Sequence, residues 1–542
     1  MSYPHDASRS LHQAFAAARG RAADRPFLAE SACSGGRQWS FEEAGQEVDA
    51  LVQAYRGQGW GPGHRVALAV GNHPRHFFHF LALNQLGASI VPLNPDHRAG
   101  EIAHVLQVSQ AQLVVSTAPR YSLLQSVLAD RSRWSQVALV SSEALAQQLG
   151  PAPGPVAALS ADPWQREAAI LFTSGTSGPP KGCVLTNEYV MTAGAWYRDL
   201  GGALRFSHGG DRLLNPLPVF HMNCGMTSIA TMCLTDNCLV LPDRFHASTW
   251  WDDCVRSQAT AIHYLGIMPP ALFKQASSPL ERAHRIRFGL GAGCDPSLHP
   301  QVEARFGFPF VEVWGMTETG RFLANQFEPR MTDTRAFGRP AQPVEVRVVD
   351  EQDRDLPAGQ AGQLLVRASG DDPRRGFFSG YLGEPEATEQ AWRGGWFHTG
   401  DVVVQDASAM LYFVDRRKDM IRRSGENISA SEVEASLAAH PAVARAAVLA
   451  VPDEMRDEEV LAVVVPAAGH RPDPHLAQSL LSHCLENLAY YKAPAWVVFR
   501  EELPVTATNK LQKNLIFAAG QDARAQAIDL RSLKKRPEQA SP

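Results

Sequence analysis

Residues 171–186 read LFTSGTSGPPKGCVLT, an apolar run followed by hydroxyl side chains, glycines and one lysine. This pattern predicts a buried strand that leads into an anion-binding loop. Hydroxyl groups can donate hydrogen bonds, glycines let backbone N–H groups approach an anion, and a lysine adds positive charge. We expect this loop to hold a triphosphate. Its contact residues would be Thr173, Ser174, Gly175, Thr176, Ser177, Gly178 and Lys181.

The loop is not a Walker A P-loop. That motif requires Gly, four residues, then Gly-Lys and a magnesium-binding Ser or Thr. Here Pro180 stands five positions after Gly175, and Gly182 follows Lys181. Taken alone, the segment fits a solvated surface loop equally well. Motifs elsewhere in the chain must decide between these interpretations.

Length and composition narrow the class of protein. A chain of 542 residues is longer than one hydrophobic core usually organises, so we expect at least two domains. The net charge of −5 and the lack of a basic arm disfavour a nucleic-acid partner. Eight cysteines without Cys-x-x-Cys or zinc-like spacing indicate reduced, mostly buried thiols. With no signal-like N-terminus and no apolar run of about 18 residues, we predict a cytoplasmic protein that does not contact membranes.

The first two thirds of the chain has an α/β pattern. Apolar runs at 65–71, 90–93 and 112–116 are separated by helical stretches such as 76–86. Residues 344–367 alternate more strictly, as half-buried antiparallel strands do. We therefore predict buried strands followed by a smaller β-rich layer.

The pattern of the C-terminal part predicts a separate α+β unit. Residues 431–439 and 476–488 have helix spacing, and a helix cap is expected at either Ser429 or Ser431. Strands are expected at 446–451 and 460–465. The charged segment 415–419 (DRRKD) suits a linker. The predicted division is 1–414 for the large domain, 415–419 for a hinge and 420–542 for the small domain.

Three further motifs carry charged groups suited to nucleotide chemistry. WGMTE at 314–318 follows an apolar pair, so a strand would deliver Glu318 to a pocket, where a magnesium ion would join it to a triphosphate. FHTGD at 397–401 ends in Asp401, whose oxygens could accept both ribose hydroxyls. PVTATNKLQK at 504–513 presents Lys510 among small residues. Each motif alone could be an ordinary surface feature.

Together the motifs resemble the adenylate-forming superfamily, which contains acyl- and aryl-CoA ligases, peptide-synthetase adenylation domains and firefly-type luciferases. The resemblance covers residues 10–520, with five motifs in the family's order. It implies a large N-terminal domain of layered α/β subdomains with a β-rich subdomain, and a small mobile α+β C-terminal domain. It also implies ATP, Mg²⁺ and CoA as cofactors.

The resemblance assigns an ATP site. The loop at 173–181 would hold the β- and γ-phosphates, Glu312 would accept a hydrogen bond from the adenine amine, and Trp314 stands where the family usually has tyrosine. Lys510 follows Asn509 where the family has glycine, and asparagine tolerates left-handed backbone angles. The remaining members of the implied site are Gly291, Ala292, Gly293, Val313, Gly315, Met316 and Thr317, with Asp401 and Arg416 on the ribose.

The same resemblance implies a two-step reaction. A carboxylate would attack the α-phosphate of ATP to give acyl-AMP and pyrophosphate, and the thiol of CoA would then displace AMP. The catalytic residues implied are Lys510, Glu318, Thr317 and His221, with Glu318 linked to Mg²⁺ through ATP. Rotation of the small domain about Lys418 would separate the two steps. It would bring Ser424, Gly425 and Glu426 to CoA.

The implied acyl pocket has mixed polarity, which predicts a small or medium organic acid. Its residues are His221, Met222, Asn223, Met226, Gly266, Gly291, Gly315, Met316 and Phe322. Three stretches, at 218–224, 413–418 and 423–429, are most similar to crotonobetaine/carnitine–CoA ligases. Trp250, Trp251 and Tyr264 do not make a clear aromatic cage for a trimethylammonium group.

Other functions remain open at this stage. An enzyme that loads a separate carrier protein would share the first step. A luciferase-like oxidoreductase would need a buried aromatic substrate and oxygen, which nothing in the sequence indicates. A non-catalytic nucleotide-binding protein would be expected to lack Lys510 or Glu318. We expect a small carboxylic acid, ATP and CoA as partners, and a homodimer as the candidate assembly.

Overall fold

The computed structural model describes residues 8–173, 180–416, 419–423, 426–453, 457–488, 490–505, 511–518 and 520–534. It divides into two compact units. The first comprises 1–346, 365–398 and 408–412, and the second comprises 347–364, 399–407 and 413–542. Each unit is described by itself.

The α-helices are distributed over both units. In the first unit they are α1 Leu11–Ala22, α2 Phe41–Gly57, α3 Pro74–Leu86, α4 Ala99–Ser109, α5 Ala118–Val127, α6 Arg131–Trp134, α7 Leu145–Gln148, α8 Asn187–Asp199, α9 Ile229–Thr235, α10 Trp250–Arg256, α11 Met268–Phe273, α12 Leu280–Ala283, α13 His299–Phe306 and α14 Pro385–Ala391. In the second unit they are α15 Ala430–Ala438 and α16 Pro474–Asn487.

The strands follow the same chain order. Up to residue 338 they are β1 Pro26–Glu30, β2 Gln38–Ser40, β3 Arg65–Ala69, β4 Ser89–Pro92, β5 Leu113–Ser116, β6 Ala138–Ser141, β7 Glu167–Thr173, β8 Lys181–Thr186, β9 Arg212–Leu214, β10 Cys238–Leu241, β11 Ala261–Leu265, β12 Phe288–Ala292, β13 Phe310–Gly315, β14 Phe322–Ala324 and β15 Ala336–Gly338. The later strands are β16 Val344–Val349, β17 Ala361–Ala368, β18 Gly380–Tyr381, β19 Phe397–Gln405, β20 Leu411–Arg416, β21 Met420–Arg423, β22 Glu426–Ser429, β23 Val443–Asp453, β24 Asp457–Pro466, β25 Trp496–Phe499 and β26 Ile528–Asp529.

One sheet of the first unit has the order β18-β8-β7-β4-β3-β5-β6. Strands β3, β4 and β5 are parallel and buried along their whole length. Burial on both faces explains why these strands read as continuous apolar runs rather than as alternating ones. The predicted strands near 65, 90 and 112 are confirmed, as is the predicted helix near 76, which is α3.

A second sheet has the order β14-β13-β12-β11-β9-β10-β1-β2. The six strands β1, β10, β9, β11, β12 and β13 run parallel to one another, and the antiparallel strands β2 and β14 close the two edges. Because the parallel strands point the same way, their carboxyl ends lie along one edge. This edge carries several of the predicted motifs.

Helices pack on these sheets through one apolar face. In α2 the side chains of Phe41, Ala44, Val48 and Val52 recur at helical spacing and are buried. The helix begins at Ser40, whose side chain accepts a hydrogen bond from the Glu43 backbone while Glu43 reaches back to the Ser40 backbone. This capping box satisfies two backbone donors that a helix start would otherwise leave unpaired.

The second unit contains a sheet of order β22-β21-β24-β25-β26, with β23 paired antiparallel to β24. Val433 and Leu437 of α15 share a buried cluster with Leu480 of α16 and Val460 of β24. The predicted α+β unit is therefore confirmed. Ser429 caps α15 by accepting a hydrogen bond from the Glu432 backbone, which decides between the two expected caps.

The first residues of the predicted linker belong to a strand. Asp415 lies in β20, is buried, and accepts hydrogen bonds from Ser429 Oγ at 2.8 Å and the Ser431 backbone at 3.0 Å. A carboxylate held by two donors at the start of α15 is an anchored group. The predicted hinge residue Lys418 lies outside the described residues, so the hinge and the predicted domain boundaries stay predictions.

The cysteines are in the state that their spacing predicts. All eight cysteines are free, and only Cys33 is exposed, as predicted from their spacing. Across the part of the chain that the structure describes, no helix combines the length and apolar character needed to cross a bilayer.

Candidate active site

Three parallel strands of the second sheet end at the predicted nucleotide and acyl motifs. Tyr264 and Gly291 are register partners on β11 and β12, and Gly291 pairs with Glu312 on β13. Gly266 follows β11, and residues 314–318 begin at the end of β13. Ligands of open parallel sheets bind outside the carboxyl ends of the strands. The fold thus brings together motifs that are about 50 residues apart in the chain.

The phosphate loop connects the last residue of β7 with the first residue of β8. Thr173 and Lys181 are register partners, so the predicted strand before the loop is confirmed. Lys181 Nζ lies 2.6 Å from Glu384 Oε2 and 5.1 Å from the centre of the Tyr381 ring. The predicted phosphate contacts Ser174, Gly175, Thr176, Ser177 and Gly178 lie outside the described residues.

Glu318 is buried beside the start of this loop. The Tyr381 hydroxyl donates a hydrogen bond to Glu318 Oε1 at 3.0 Å. Cys183 Sγ lies 3.8 Å from Thr173 Oγ1, and both burial and the adjacent Glu318 raise the pKa of the Cys183 thiol. The structure therefore gathers three predicted residues, Thr173, Lys181 and Glu318, around a neutral thiol and a tyrosine.

These surroundings fit the predicted magnesium role. Glu318 supplies a carboxylate, the ligand type that Mg²⁺ prefers, and Lys181 supplies nearby positive charge for phosphate oxygens. Thr317 is half-buried, and its carbonyl oxygen accepts a hydrogen bond from the Tyr189 hydroxyl at 2.7 Å. Sequence reasoning missed Tyr381, which lies in the two-residue strand β18, where it pairs with Cys183, and a strand this short has no distinctive sequence pattern.

Glu312 is held by three donors. Its carboxylate accepts hydrogen bonds from Tyr264 Oη at 2.6 Å, Gly293 N at 2.7 Å and Cys294 N at 3.1 Å. Burial raises the pKa of Glu312, while these three hydrogen bonds act in the opposite direction. Glu312 therefore fixes the exposed turn at Ala292 and Gly293. Its predicted hydrogen bond to adenine stays a prediction.

Cys294, His299 and Glu312 also approach one another within 4.8 Å. They do not form an open metal site. Glu312 already accepts three hydrogen bonds, and His299 Nε2 lies 3.0 Å from Glu303 Oε1. We assign this cluster to the packing behind the turn at Ala292 and Gly293.

The remaining residues of the predicted adenine slot lie on β13 or, for Met316, directly after it. Trp314 is buried, and its ring centre lies 6.0 Å from that of Phe337, whereas Val313 and Met316 are half-buried. Stacking of a purine on Trp314 stays a prediction.

Glycines allow the segments that are predicted to bind the acyl group and adenine to approach one another closely. Gly315 pairs with Phe322 in the β13–β14 ladder, and a Cβ on Gly315 would lie 2.8 Å from Phe322 Cβ. A Cβ on Gly266 would overlap the carbonyl oxygen of Gly293. Larger side chains at these two positions would separate segments that both predicted sites need.

The segment after β9 forms a π-helix at Asn223–Ser228. Such helices are rare and occur often at functional sites. His221, Met222 and Asn223 are half-buried at its start, and Tyr189 Oη lies 3.8 Å from Met222 Sδ. The side chain of Met226 is fully buried, and its predicted contact with the acyl group stays a prediction.

The three aromatic residues considered for a cation cage are engaged elsewhere. Trp250 and Trp251 are buried, with ring centres 5.3 Å from Phe245 and 4.6 Å from Phe306. Tyr264 directs its hydroxyl to Glu312. No open cage is formed by these rings.

The predicted residues of the second unit are described less fully. Asp401 is buried in β19, and its backbone N–H donates to Thr399 Oγ1 at 3.1 Å. Arg416 ends β20 and Glu426 begins β22. Lys418, Ser424, Gly425 and Lys510 lie outside the described residues. Their predicted roles, and those of Asp401, Arg416 and Glu426, stay predictions.

Comparison with known families decides the class. The AMP-binding enzyme model matches residues 15–382, and the AMP-binding enzyme C-terminal domain matches 432–510. The chain belongs to the AMP-binding enzyme family. The predicted superfamily and its two-domain architecture are thereby confirmed.

Relatives extend over nearly the whole chain. Crotonobetaine/carnitine–CoA ligases of Citrobacter koseri and Proteus mirabilis are each 32% identical, over 88% and 89% of this chain and 93% and 94% of their own. The o-succinylbenzoate CoA synthetase of Bacillus subtilis, solved with its acyl-adenylate, is 24% identical with a TM-score of 0.78, covering 94% of this chain and 98% of its own. These findings confirm the predicted class, an ATP-dependent, AMP-forming CoA ligase. The Bacillus subtilis synthetase has also been solved with ATP and a magnesium ion, with 24% identity to this chain and a TM-score of 0.77.

Proposed function

We propose that this protein converts a small or medium organic acid into its CoA thioester through an acyl-adenylate. The observation that carries the proposal is the convergence of Thr173, Lys181 and Glu318 around Cys183 and Tyr381. These three residues supply a hydroxyl at the start of the loop, a cation and a carboxylate in one part of the first unit, and Glu318 would be the metal ligand. A triphosphate needs all three.

In the first step, a carboxylate oxygen of the acid would attack the α-phosphorus of ATP. The bond from this phosphorus to the bridging oxygen breaks, and pyrophosphate leaves. Lys181 would hold the charge of the departing phosphates, since its partner Glu384 is exposed and can be exchanged for phosphate. Mg²⁺, when bound through Glu318, would neutralise phosphate charge. This is electrostatic stabilisation rather than proton transfer.

In the second step, the CoA sulfur would attack the acyl carbonyl, and the carbon–oxygen bond to AMP would break. The assignment of Lys510 to the first step, and of rotation at Lys418 to the exchange between steps, belongs to this proposal. Lys513 has a different role. Its Nζ lies 2.8 Å from Glu434 Oε1, so this nearby lysine is used in an ion pair.

The proposed size of the acid rests on the half-buried residues Met222 and Asn223. They mix a thioether and an amide where a long fatty chain would need a continuous aliphatic lining. The names of the relatives are consistent with this, because they act on crotonobetaine or carnitine and on o-succinylbenzoate. A homodimer and a cytoplasmic location complete the proposal.

The test is acid-dependent pyrophosphate release, measured with short, branched, aromatic and quaternary-ammonium acids in the presence and absence of CoA. We expect at least one small acid to release pyrophosphate and to form a thioester with CoA. Glu318→Gln should abolish release, whereas Glu386→Gln, an exposed carboxylate in the first turn of α14, should not. Acyl-AMP formation without a CoA product would favour a separate carrier protein, and no release with any acid would refute the proposal.

A further inference from the structure

The orientation of the Asn223 side chain is determined by a chain of hydrogen bonds that begins at a backbone donor. The Leu217 N–H donates to Asn215 Oδ1 at 2.9 Å. A backbone N–H can only donate, so the amide nitrogen of Asn215 must face the other way. That nitrogen lies 3.0 Å from Asn223 Oδ1, 3.0 Å from Ser228 Oγ and 2.9 Å from His263 Nδ1, and we assign its two N–H groups to the two oxygens.

His263 agrees with this assignment. It is fully buried, and burial lowers the pKa of His263 to about 3, so its ring is neutral and carries one N–H. An amide oxygen only accepts, so we assign the His263 proton to Nδ1, and Nε2 then accepts from the Tyr197 hydroxyl at 2.8 Å. Nδ1 then donates to Asn223 Oδ1 across 2.6 Å.

Asn223 Oδ1 therefore accepts from two buried side chains, Asn215 and His263. The Asn223 residue is half-buried, so its amide nitrogen is the end that remains available. Among the residues that the structure describes, none accepts a hydrogen bond from Asn223 Nδ2. This nitrogen offers two N–H donors.

Asn223 lies near the nucleotide motifs. It follows Met222, whose sulfur contacts the Tyr189 hydroxyl, and the same hydroxyl donates to the Thr317 carbonyl oxygen. Asn215 directly follows β9, so the network sits at the carboxyl edge of the sheet. Under the proposed function the acid binds at this edge, where Asn223 Nδ2 would offer its two N–H donors to the acyl group.

We infer that the acid carries an oxygen acceptor, a hydroxyl, keto or second carboxylate group, that binds Asn223 Nδ2. This inference rests on the proposed function. A trimethylammonium group cannot accept a hydrogen bond, and Trp250, Trp251 and Tyr264 form no open cage for it. The inference therefore concerns the oxygen acceptor of the acid and assigns no role to a trimethylammonium group.

We expect the protein to discriminate strongly between acids with and without an oxygen acceptor, because Asn223 Nδ2 loses its partner when the acceptor is absent. Sites built to hydrogen-bond a substrate group reject analogues that lack it, whereas apolar pockets discriminate weakly against an added hydroxyl. We expect kcat/KM to favour an acceptor-bearing acid over its unsubstituted analogue by about 10–100-fold.

The experiment uses matched acids and three variants of the full-length protein. One series is butanoate, 3-hydroxybutanoate, butanedioate and 4-trimethylammoniobutanoate, and a second is benzoate with its 2-, 3- and 4-hydroxy derivatives. Acid-dependent pyrophosphate release and calorimetric binding are measured with wild type, Asn223→Leu, Asn223→Asp and Tyr197→Phe. Thermal unfolding checks that each variant is folded.

We expect an oxygen-bearing acid to lead in at least one series and this preference to disappear in Asn223→Leu. Asn223→Asp would keep an oxygen toward His263 and turn a negatively charged acceptor outward, so it should favour the trimethylammonio acid. Equal use of substituted and unsubstituted acids by wild type, or an unchanged ratio in Asn223→Leu, would overturn the inference. If no acid releases pyrophosphate, the proposed function fails, and the binding ratios still test Asn223.

Discussion

The hydroxyl group of Tyr264 donates a hydrogen bond to Glu312 Oε1 across 2.6 Å. Tyr264 lies on β11 and Glu312 on β13, with β12 between them. Two more donors, the backbone N–H groups of Gly293 and Cys294, complete the surroundings of the carboxylate. The turn proposed to contact adenine is thus tied to both flanking strands.

Tyr264→Phe removes one donor from Glu312 and should weaken ATP use. Hydrogen bonds to charged groups contribute about 1.5–3 kcal/mol, so we expect kcat/KM for ATP to fall about 10–100-fold. The pKa of Glu312 should rise further, which shifts the acid limb of the rate profile to higher pH. Tyr197→Phe is the matched control, because its hydroxyl belongs to the Asn223 network and should affect KM for the acid instead. A larger effect of Tyr264→Phe on the acid than on ATP would contradict this assignment.

Glu303 should make stability dependent on pH. Burial acts to raise its pKa, but the Arg330 guanidinium, 2.7 Å away on both oxygens, and His299 outweigh burial and lower the pKa from 4.5 to about 2. A carboxylate with a depressed folded-state pKa stabilises the protein above pH 4.5, and this stabilisation is lost as pH falls toward 2. We expect Glu303→Gln to cost about 3 kcal/mol at pH 7. Denaturant unfolding should show the difference from wild type shrinking with acidification, whereas a constant difference would exclude the ion pair as its cause.

Lys510→Ala should separate the two half-reactions. We expect acyl-AMP formation to fall by about 10²–10³, as when one preorganised charge donor is removed, while thioester formation from supplied acyl-AMP is largely spared. Lys513→Ala is the control, because Lys513 pairs with Glu434 and should affect stability without separating the steps. Equal damage to both steps in Lys510→Ala would contradict the proposed role.

Lys418→Pro tests the hinge. Proline restricts its own φ and the conformation of the preceding residue, so adenylation should remain measurable while the CoA step is suppressed. Lys418→Ala removes the charge without this restriction and should retain both steps. CoA thioester formation at the wild-type rate in the proline variant would rule out rotation at this residue.

Chain length tests the acyl pocket. In a long apolar tunnel each added methylene would contribute about 0.8 kcal/mol, so kcat/KM would rise steeply along a saturated acid series. We expect no such rise for this protein. A continued increase beyond about ten carbons would refute the proposed pocket, whereas a maximum at short acids, or activity only with a polar or aromatic acid, would support it.

Much of the fold could be predicted from local patterns. Continuous apolar runs predicted β3, β4 and β5, and helical spacing predicted α15 and α16, because burial and periodicity are recorded within each segment. The surroundings of the predicted linker could not be predicted. Asp415 lies in β20, and its carboxylate accepts hydrogen bonds from Ser429 and the Ser431 backbone, partners that a charged run does not reveal.

The sequence by itself determined the family and the order of the motifs. Hydroxyl groups, glycines, Lys181 and Glu318 are types that nucleotide chemistry requires, and the two family models match the same stretches. What only the tertiary structure decided is where polar groups point. Asn223 turns its oxygen inward because Asn215 and His263, 8 and 40 residues away, meet it at one edge of the sheet. Hydrogen bonds need both partners in place, so the direction of a donor becomes known only when distant segments are folded together.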